Sequence, residues 1–391
     1  MKTHRTRNAV LALTGVVALT LYILACTSFS PDDTKVIYPA FDGPGGAVGI
    51  AVYDRETGRS EPLFVPIGYE NGITNTVKPR LVRAQWLADG QSITVAWPGG
   101  GDAGGDGLYL ALLPWRARAP IRLFELPSIE KSASGLMQPL CIVGDRVFIV
   151  ETNRQILRLD LKTGELVRHE LDEEWDQVAL LPAPDGTGVF CFGEREEGRT
   201  VGRLDPGSFA ITSIMTFTNK AAQGSFLAID RRAQRFAFAQ ENSDQCELVV
   251  LEKGAPVFTR LLGAKGEKWA FGSALFTPRG DALCASFQRT AQSRKGADYG
   301  LVEIPLNSDA VRQVMLLSTP ESGDENDARI FQAGISHDGS TAAVASTYLA
   351  CQNGDFKAED CALFLIDLKD PKWKVTKVAI PMPARRQEAF K

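Results

Sequence analysis

A strand–turn–strand unit recurs along this chain, and it constrains the fold more than any other feature. Residues 83–97, 178–192 and 331–345 each place an Asp-Gly pair between two runs of apolar and β-branched residues. Asp-Gly favours a tight hairpin because glycine adopts positive φ and aspartate bonds its own backbone. Repetition of such units at intervals of about 40–60 residues, with strands and turns alone, predicts a β-propeller.

The turn signals also predict the number of blades. We name the strands of a blade A to D, from the central channel outward. Six A–B turns and seven C–D turns can be recognised, the A–B turns at Asp89-Gly90, Gly144-Asp145, Asp185-Gly186, Arg231-Arg232, Arg279-Gly280 and Asp338-Gly339. The expected fold is therefore all-β, a single propeller of seven four-stranded antiparallel blades. Residues 36–65 supply about three strands, so the first blade is expected to be incomplete, and six blades with an N-terminal extra segment is the alternative.

Two turn motifs carry a resemblance to known propeller families. Ala183-Pro184-Asp185-Gly186 and Ser336-His337-Asp338-Gly339 resemble the Pro-Asp-Gly turns of TolB-type and WD-like propeller repeats. The stretch 160–165, Asp-Leu-Lys-Thr-Gly-Glu, is similar to the strand–turn signature of PQQ-type propellers. These motifs serve the fold, so the resemblance implies architecture and leaves the function open.

The N-terminus differs in kind from the rest of the chain. Lys2, Arg5 and Arg7 precede an uninterrupted apolar stretch, 9–25, which is the pattern of an export signal. The sequence Ile-Leu-Ala-Cys at 23–26 resembles the bacterial lipobox, which implies lipidation of Cys26. An uncleaved membrane anchor and simple secretory cleavage remain alternatives, since the apolar stretch is long. All three place the propeller in the bacterial cell envelope, facing the periplasm or the exterior.

These observations divide the chain into four parts. Residues 1–25 are expected to be a signal peptide or membrane anchor, 26–46 a tether and the first strand, 47–381 the propeller, and 382–391 a polar C-terminal tail.

Cysteine positions agree with an oxidising compartment. Cys351 and Cys361 flank a polar loop between two predicted strands, where a disulfide would stabilise the fold by about 2–3 kcal/mol. Two free thiols are the alternative. The four remaining cysteines of the propeller lie in strand patterns and are expected to be small buried side chains, namely Cys141, Cys191, Cys246 and Cys284. No CxxC pair predicts zinc.

Residues typical of catalysis are sparse. The chain has three histidines, and the two in the propeller are interpreted as a turn residue, His337, and an exposed outer-strand residue, His169. No Gly-x-Ser-x-Gly elbow or phosphate-binding loop is present, so no catalytic residue is assigned. The formal net charge of −4 argues against a nucleic-acid partner.

Binding residues are expected on one face of the ring. In a propeller the B–C and D–A connections emerge together, and we call that side the loop face; the A–B and C–D turns form the opposite side, the turn face. Several loop-face connections are long, and such loops concentrate binding residues. The candidate binding residues are Trp175 and Trp269, each just before an A strand, with Asp102, Asp106, Arg289 and Arg294. Packing of the two tryptophans between blades is the alternative.

The resulting functional hypothesis is an envelope-anchored, non-catalytic binding or scaffold module. Its partner is expected to be a protein or glycan on the loop face, with the membrane contacted through the N-terminal anchor. No cofactor or metal is predicted; calcium binding by the oxygens of Asp102 and Asp106 is the alternative to a flexible polar loop. The alternative is a propeller enzyme, a lyase or glycan hydrolase, which would need paired carboxylates such as Asp102, Asp106, Glu194 and Glu196.

Overall fold

Every described element of the chain is a strand or a turn. The computed structural model describes residues 27–41, 47–64, 83–98, 108–116, 120–126, 141–150, 155–172, 175–183, 188–195, 197–217, 225–230, 232–241, 245–291, 297–318, 334–346 and 362–379. Their 28 strands form seven four-stranded antiparallel sheets, each built from four consecutive strands. The prediction of seven blades is confirmed. Within these described ranges, no helix is long and apolar enough to cross a membrane.

Blades 1 to 3 occupy the first part of the chain. Blade 1 consists of β1 (Ser28–Phe29), β2 (Lys35–Phe41), β3 (Ala47–Asp54) and β4 (Arg59–Phe64). Blade 2 consists of β5 (Arg83–Trp86), β6 (Ser92–Pro98), β7 (Leu108–Pro114) and β8 (Arg122–Leu126). Blade 3 consists of β9 (Cys141–Val143), β10 (Arg146–Val150), β11 (Gln155–Asp160) and β12 (Leu166–Glu170).

Blades 4 to 7 repeat the same order. Blade 4 consists of β13 (Asp176–Pro182), β14 (Val189–Arg195), β15 (Gly198–Leu204) and β16 (Ile211–Phe217). Blade 5 consists of β17 (Ser225–Ile229), β18 (Arg235–Glu241), β19 (Cys246–Glu252) and β20 (Ala255–Leu262). Blade 6 consists of β21 (Glu267–Phe276), β22 (Ala282–Ala291), β23 (Ala297–Pro305) and β24 (Arg312–Ser318). Blade 7 consists of β25 (Gly334–Ile335), β26 (Thr341–Ser346), β27 (Ala362–Asp367) and β28 (Val375–Ala379).

The first blade is complete, so the expectation of three strands was wrong. Its innermost strand, β1, pairs Ser28 with Ile37 and Phe29 with Val36. The range 26–46, assigned to a tether and one strand, thus carries both β1 and β2. The A–B turn between them was missed because Asp33 stands where blades 2, 6 and 7 have glycine. Asp33 nevertheless adopts the glycine-like conformation, with φ of 57°.

Hydrogen bonds explain why this turn recurs. In blade 1 the Ser30 amide donates to the Lys35 carbonyl at 2.9 Å, and the Asp33 amide donates to the Ser30 carbonyl at 2.8 Å. In blade 7 the Ser336 amide donates to the Thr341 carbonyl at 2.9 Å in the same way. The Ser30 hydroxyl donates to Asp32 at 2.5 Å and lowers the pKa of that carboxyl to about 2. In blade 1 the turn therefore combines an ionised aspartate at Asp32 with positive φ at Asp33, the residue whose amide closes the turn.

The core lies between the blades. Side chains alternate along each strand, so that one blade presents two apolar faces, one to each neighbour. In blade 2, Trp86 and Val95 pack with blade 1, whereas Leu87 and Ala96 pack with blade 3. This two-sided burial accounts for strands that are almost continuously buried, such as β7.

Arginine side chains join neighbouring blades at the turn face. Arg122 of blade 2 donates to the Leu161 carbonyl of blade 3 at 3.2 Å, and Arg158 of blade 3 donates to the Pro206 carbonyl of blade 4 at 2.8 Å. Arg235 of blade 5 donates to the Gly280 carbonyl of blade 6 at 2.8 Å. These bonds satisfy turn carbonyls and fix the spacing of adjacent blades.

The ring closes by packing of blade 1 against blade 7, and the described sheets exchange no strand. Strand β1 lies against β25 of blade 7 and β5 of blade 2. Asp33 accepts hydrogen bonds from the His337 amide at 2.8 Å, the Asp338 amide at 3.0 Å and His337 Nδ1 at 2.8 Å. Arg55 adds a bond of 2.9 Å to the Thr341 hydroxyl. We call the contact of Asp33 with His337 and Asp338 the clasp.

Candidate binding surface

The loop face is the candidate site, and several of its predicted residues lie outside the described residues. These are Cys26, the predicted disulfide pair Cys351 and Cys361, the loop aspartates Asp102 and Asp106, and Arg294 and Glu196. The disulfide and the lipidation therefore stay predictions, and calcium binding by the loop stays an alternative. Trp175, Trp269, Arg289 and Glu194 are described.

Blade 6 carries a row of three side chains near its loop-face end. Trp269 of β21 pairs in register with Arg289 of β22, which pairs with Asp298 of β23. The Arg289 guanidinium lies 5.8 Å from the centre of the Trp269 ring. Two of its nitrogens, Nε and Nη2, donate to one Asp298 oxygen at 3.2 and 2.7 Å. The Asp298 carboxylate is buried, and a buried charge needs a partner. The Arg289 guanidinium, which is itself largely covered, compensates this charge.

Blade 4 repeats part of this row. Trp175 precedes β13, and the pairing of Asp176 with Glu194 brings Trp175 level with Arg195. The Arg195 guanidinium lies 5.3 Å from the centre of the Trp175 ring. Glu194 is paired with Arg199 of β15 at 3.4 Å, so one of the four carboxylates considered for catalysis is already bound by a cation.

The two tryptophans are buried. Trp175 is 5% exposed and Trp269 is 6% exposed. Trp269 packs between blades 5 and 6, with a ring-centre separation of 4.7 Å from Phe287. Trp175 packs with the side chains between blades 3 and 4, including Phe148 and Leu180. Both positions match the alternative use of these rings as interblade packing, and their role as ligand anchors stays a prediction.

The described residues contain no group of three or more His, Cys, Asp or Glu side chains able to hold a metal. The many turn-face aspartates instead accept backbone hydrogen bonds. Asp160 and Asp205 are examples, and their pKa values are lowered chiefly by the amides of Thr163 and Ser208, respectively. Their charge is used to hold C–D turns.

The histidines have partners that the sequence did not indicate. His337 is half of the clasp and remains largely exposed, in agreement with its assignment to a turn. His169 of β12 stacks on Phe209 of blade 4, with ring centres 4.8 Å apart. A second Ser-x-Asp turn motif, Ser30-Pro31-Asp32-Asp33, matches residues 336–339 at two of four positions and would have revealed the missed A–B turn, although not its contact with His337.

The strand cysteines are buried, as predicted. Cys141, Cys191, Cys246 and Cys284 are each less than 3% exposed. Burial raises the pKa of the Cys191 thiol and of the Cys284 thiol to about 12. Since the thiolate is the reactive form, burial disfavours reaction at Cys191 and Cys284.

Comparison with known proteins assigns no family to this chain. No protein-family model matches the chain, and no curated protein sequence matches it. A chain from the solved structure "Crystal Structure of Mitotic Checkpoint Complex" is similar at 12% identity, with 83% of this chain and 87% of that chain covered and a TM-score of 0.49. A chain from "Kuenenia stuttgartiensis Hydrazine Synthase" is similar at 10% identity, with 77% and 80% covered and a TM-score of 0.48. The blade count rests on the strand pairing of this chain itself.

Proposed function

We propose that this protein is an envelope-anchored, non-catalytic β-propeller, of the TolB-like or WD-like kind, that binds a protein or glycan partner through its loop face. The observation that carries the proposal is the unequal length of the connections on the two faces. Turn-face connections are short throughout, as at 144–145 and 253–254, whereas the longest connections join loop-face ends. Long loops held by a rigid scaffold are where functional residues concentrate, so a partner is expected on this face.

The long connections are also grouped around the ring. They lie between blades 1 and 2, between blades 2 and 3, between blades 6 and 7, and within blade 7, at 65–82, 127–140, 319–333 and 347–361. The loop-face connections of blade 5 are shorter, at 242–245 within the blade and 263–266 before blade 6. We therefore expect the partner to contact the sector formed by blades 7, 1 and 2. Asp102 and Asp106 lie within that sector in sequence, in the B–C connection of blade 2.

Loop replacement tests this proposal. One variant replaces residues 347–361 by an Asn-Gly turn, a second does the same for 99–107, and the matched control replaces 242–244 in blade 5. Partners that co-purify with the detergent-solubilised protein should be lost with either of the first two variants and kept with the control. Retention of every partner in all three variants, with each ring folded, would contradict the assignment of the loop face.

The envelope location and the lipidation of Cys26 are proposed from the basic and apolar residues of 1–25 and from the Cys at position 26. Metabolic labelling with a fatty acid should label the protein and should fail for Cys26→Ala. Continued labelling of Cys26→Ala would rule out lipidation at this residue. Loss of labelling with retention in the membrane fraction would indicate that residues 1–25 also act as an anchor.

A further inference from the structure

Met315 is an exposed methionine whose sulfur atom lies against a cation. It belongs to β24, the outermost strand of blade 6, and is 51% exposed. Its Sδ accepts a hydrogen bond of 3.2 Å from Nη2 of Arg289, which lies in β22 of the same blade. Met215 is the other methionine within the described residues. It lies in the outermost strand of blade 4, is only partly exposed and packs into the core between blades 4 and 5.

The backbone around Met315 is irregular. Gly300 of β23 pairs with Met315, whereas the residue before Gly300 pairs with Leu317, so Leu316 is an extra residue in the outer strand. Gly300 accommodates this bulge, because a Cβ at that position would collide with the carbonyl oxygen of Val314. A bulge re-aims the side chains beside it. The contact of Met315 with the guanidinium therefore rests on a specific local geometry.

Arg289 can serve a stronger acceptor at this place. Its Nε and Nη2 donate to the buried carboxylate of Asp298 at 3.2 and 2.7 Å. Because Nη2 carries two hydrogens, its bond to Met315 does not compete with its bond to Asp298. A thioether sulfur is a weak acceptor, whereas hydrogen bonds from a charged donor to an oxygen are about twice as strong as neutral ones. An oxygen atom on Met315 would therefore gain a strong bond from a cation that is already held in place.

We propose that Met315 is a site of oxidation by hydroperoxides and that Arg289 stabilises the resulting sulfoxide. A lone pair of the sulfur attacks one peroxide oxygen, so that an S–O bond forms and the O–O bond breaks. With hydrogen peroxide, the hydroxide that leaves takes the proton of the new S–OH group and departs as water. The sulfur is oxidised by two electrons and the peroxide is reduced. Rotation of the exposed, flexible side chain then brings the new oxygen to the guanidinium.

Oxidation at this position would have an unusual effect on stability. A sulfoxide generally disrupts packing, because it makes an apolar side chain polar. Met315 is half exposed and has less packing to lose, and its oxygen would add a charged hydrogen bond between the outer strand and Arg289. The same guanidinium lies 5.8 Å from the centre of the Trp269 ring. Peroxide would thus tighten the Trp269–Arg289–Asp298 row of blade 6. This effect is independent of the proposed partner and of the proposed anchor.

Peptide mapping tests the site. The full chain is treated with dilute hydrogen peroxide, and the oxidised fraction of each methionine is followed over time by mass spectrometry. Met315 should be oxidised several-fold faster than Met215, which is packed against blade 5. An equal rate at the two methionines, or a faster rate at Met215, would overturn the proposal.

Thermal unfolding tests the stabilisation. Tm is measured before and after complete peroxide treatment for the unmutated chain and for Met315→Leu, which keeps an apolar side chain and removes the sulfur. All other methionines are common to both chains, so the difference between the two changes in Tm isolates Met315. The change should be more favourable by about 1–2 °C in the unmutated chain, which corresponds to one stronger hydrogen bond. An equal or less favourable change would overturn the stabilisation.

The role of Arg289 is tested by repeating this comparison with Arg289→Gln present in both chains. The difference should then disappear, and its persistence would show that the sulfoxide oxygen has another partner, contrary to the proposal. Arg289→Gln leaves the Asp298 carboxylate without its cation and can prevent folding. In that case Arg289→Gln combined with Asp298→Asn, which removes both charges, takes its place with the same expected and contrary results.

Discussion

Replacing Asp33 by glycine tests whether the clasp holds the first and last blades together. Asp33 occupies the turn position that is glycine in blades 2, 6 and 7, and its φ of 57° is close to that of Gly339, 69°. The substitution therefore keeps the turn conformation and removes the carboxylate alone. Relief of the positive-φ cost and the greater freedom of glycine in the unfolded chain are each about 1 kcal/mol and opposite in sign, so they nearly cancel.

The expected loss comes from the hydrogen bonds of the clasp. The carboxylate accepts three bonds, from the amides of His337 and Asp338 and from the His337 ring. An intramolecular hydrogen bond contributes about 0.5–1.5 kcal/mol, and an exposed site favours the lower end of that range. Asp33→Gly should therefore lower the free energy of unfolding by about 1–2 kcal/mol. In a chain of this size that corresponds to a decrease in Tm of about 1–3 °C.

The matched control is Ala233→Gly in blade 5. Ala233 lies at the same turn position, with φ of 55°, and its amide makes the same bond to the Asp230 carbonyl, at 3.0 Å. Because it has no carboxylate to close the ring, its replacement should change Tm by less than about 1 °C. Thermal unfolding of both variants at one scan rate, followed by circular dichroism, measures the difference. If Asp33→Gly is as stable as Ala233→Gly, the clasp does not contribute to ring closure.

Three further predictions concern the turn face, the buried row and the thiols. Asp32 has a folded-state pKa of about 2, below its usual 3.8, so its stabilising effect is present above about pH 4 and is lost as the pH falls toward 2. The Tm of Asp32→Asn should therefore depend less on pH over this range than the Tm of the unmutated protein. An unchanged dependence would contradict the role of the Ser30 hydrogen bond. Trp269→Ala should lower the free energy of unfolding by about 3–5 kcal/mol, since the ring is buried between blades, and Trp269→Phe should lower it less. Urea unfolding measures both losses. If Trp269 served binding alone, the free energy of unfolding would not change. Cys191 and Cys284 should resist iodoacetamide at pH 8 in the native protein and react after unfolding, and mass spectrometry showing native modification would contradict their burial.

Local signals predicted most of the fold. An Asp-Gly pair such as Asp89-Gly90 specifies a hairpin through the conformation of two residues, and alternating apolar residues specify a strand between two packed neighbours. Both signals are contained within about ten residues of sequence, so they could be recognised without knowledge of the ring. The first blade was underestimated where one local signal was altered, at Asp33.

The candidate site was less predictable, because burial depends on neighbours from other blades. Trp175 and Trp269 stand beside loops in the sequence, which is why they were considered as binding anchors. Each ring is nevertheless covered by side chains of the adjacent blade and by an arginine across the strand pair. Sequence position near a loop indicates height along the blade, whereas exposure depends on the packing between blades.

The sequence by itself determined that the chain forms repeated four-stranded units, since turn chemistry and side-chain alternation act over short distances. Only the tertiary structure decided how the ring closes and where the chain enters it. Asp33 and His337 are separated by 304 residues, and neither carries a local signal that it contacts the other. Such a contact exists only after seven blades have placed the first turn beside the last, and that same arrangement places the Thr27 backbone against Gly334 of blade 7.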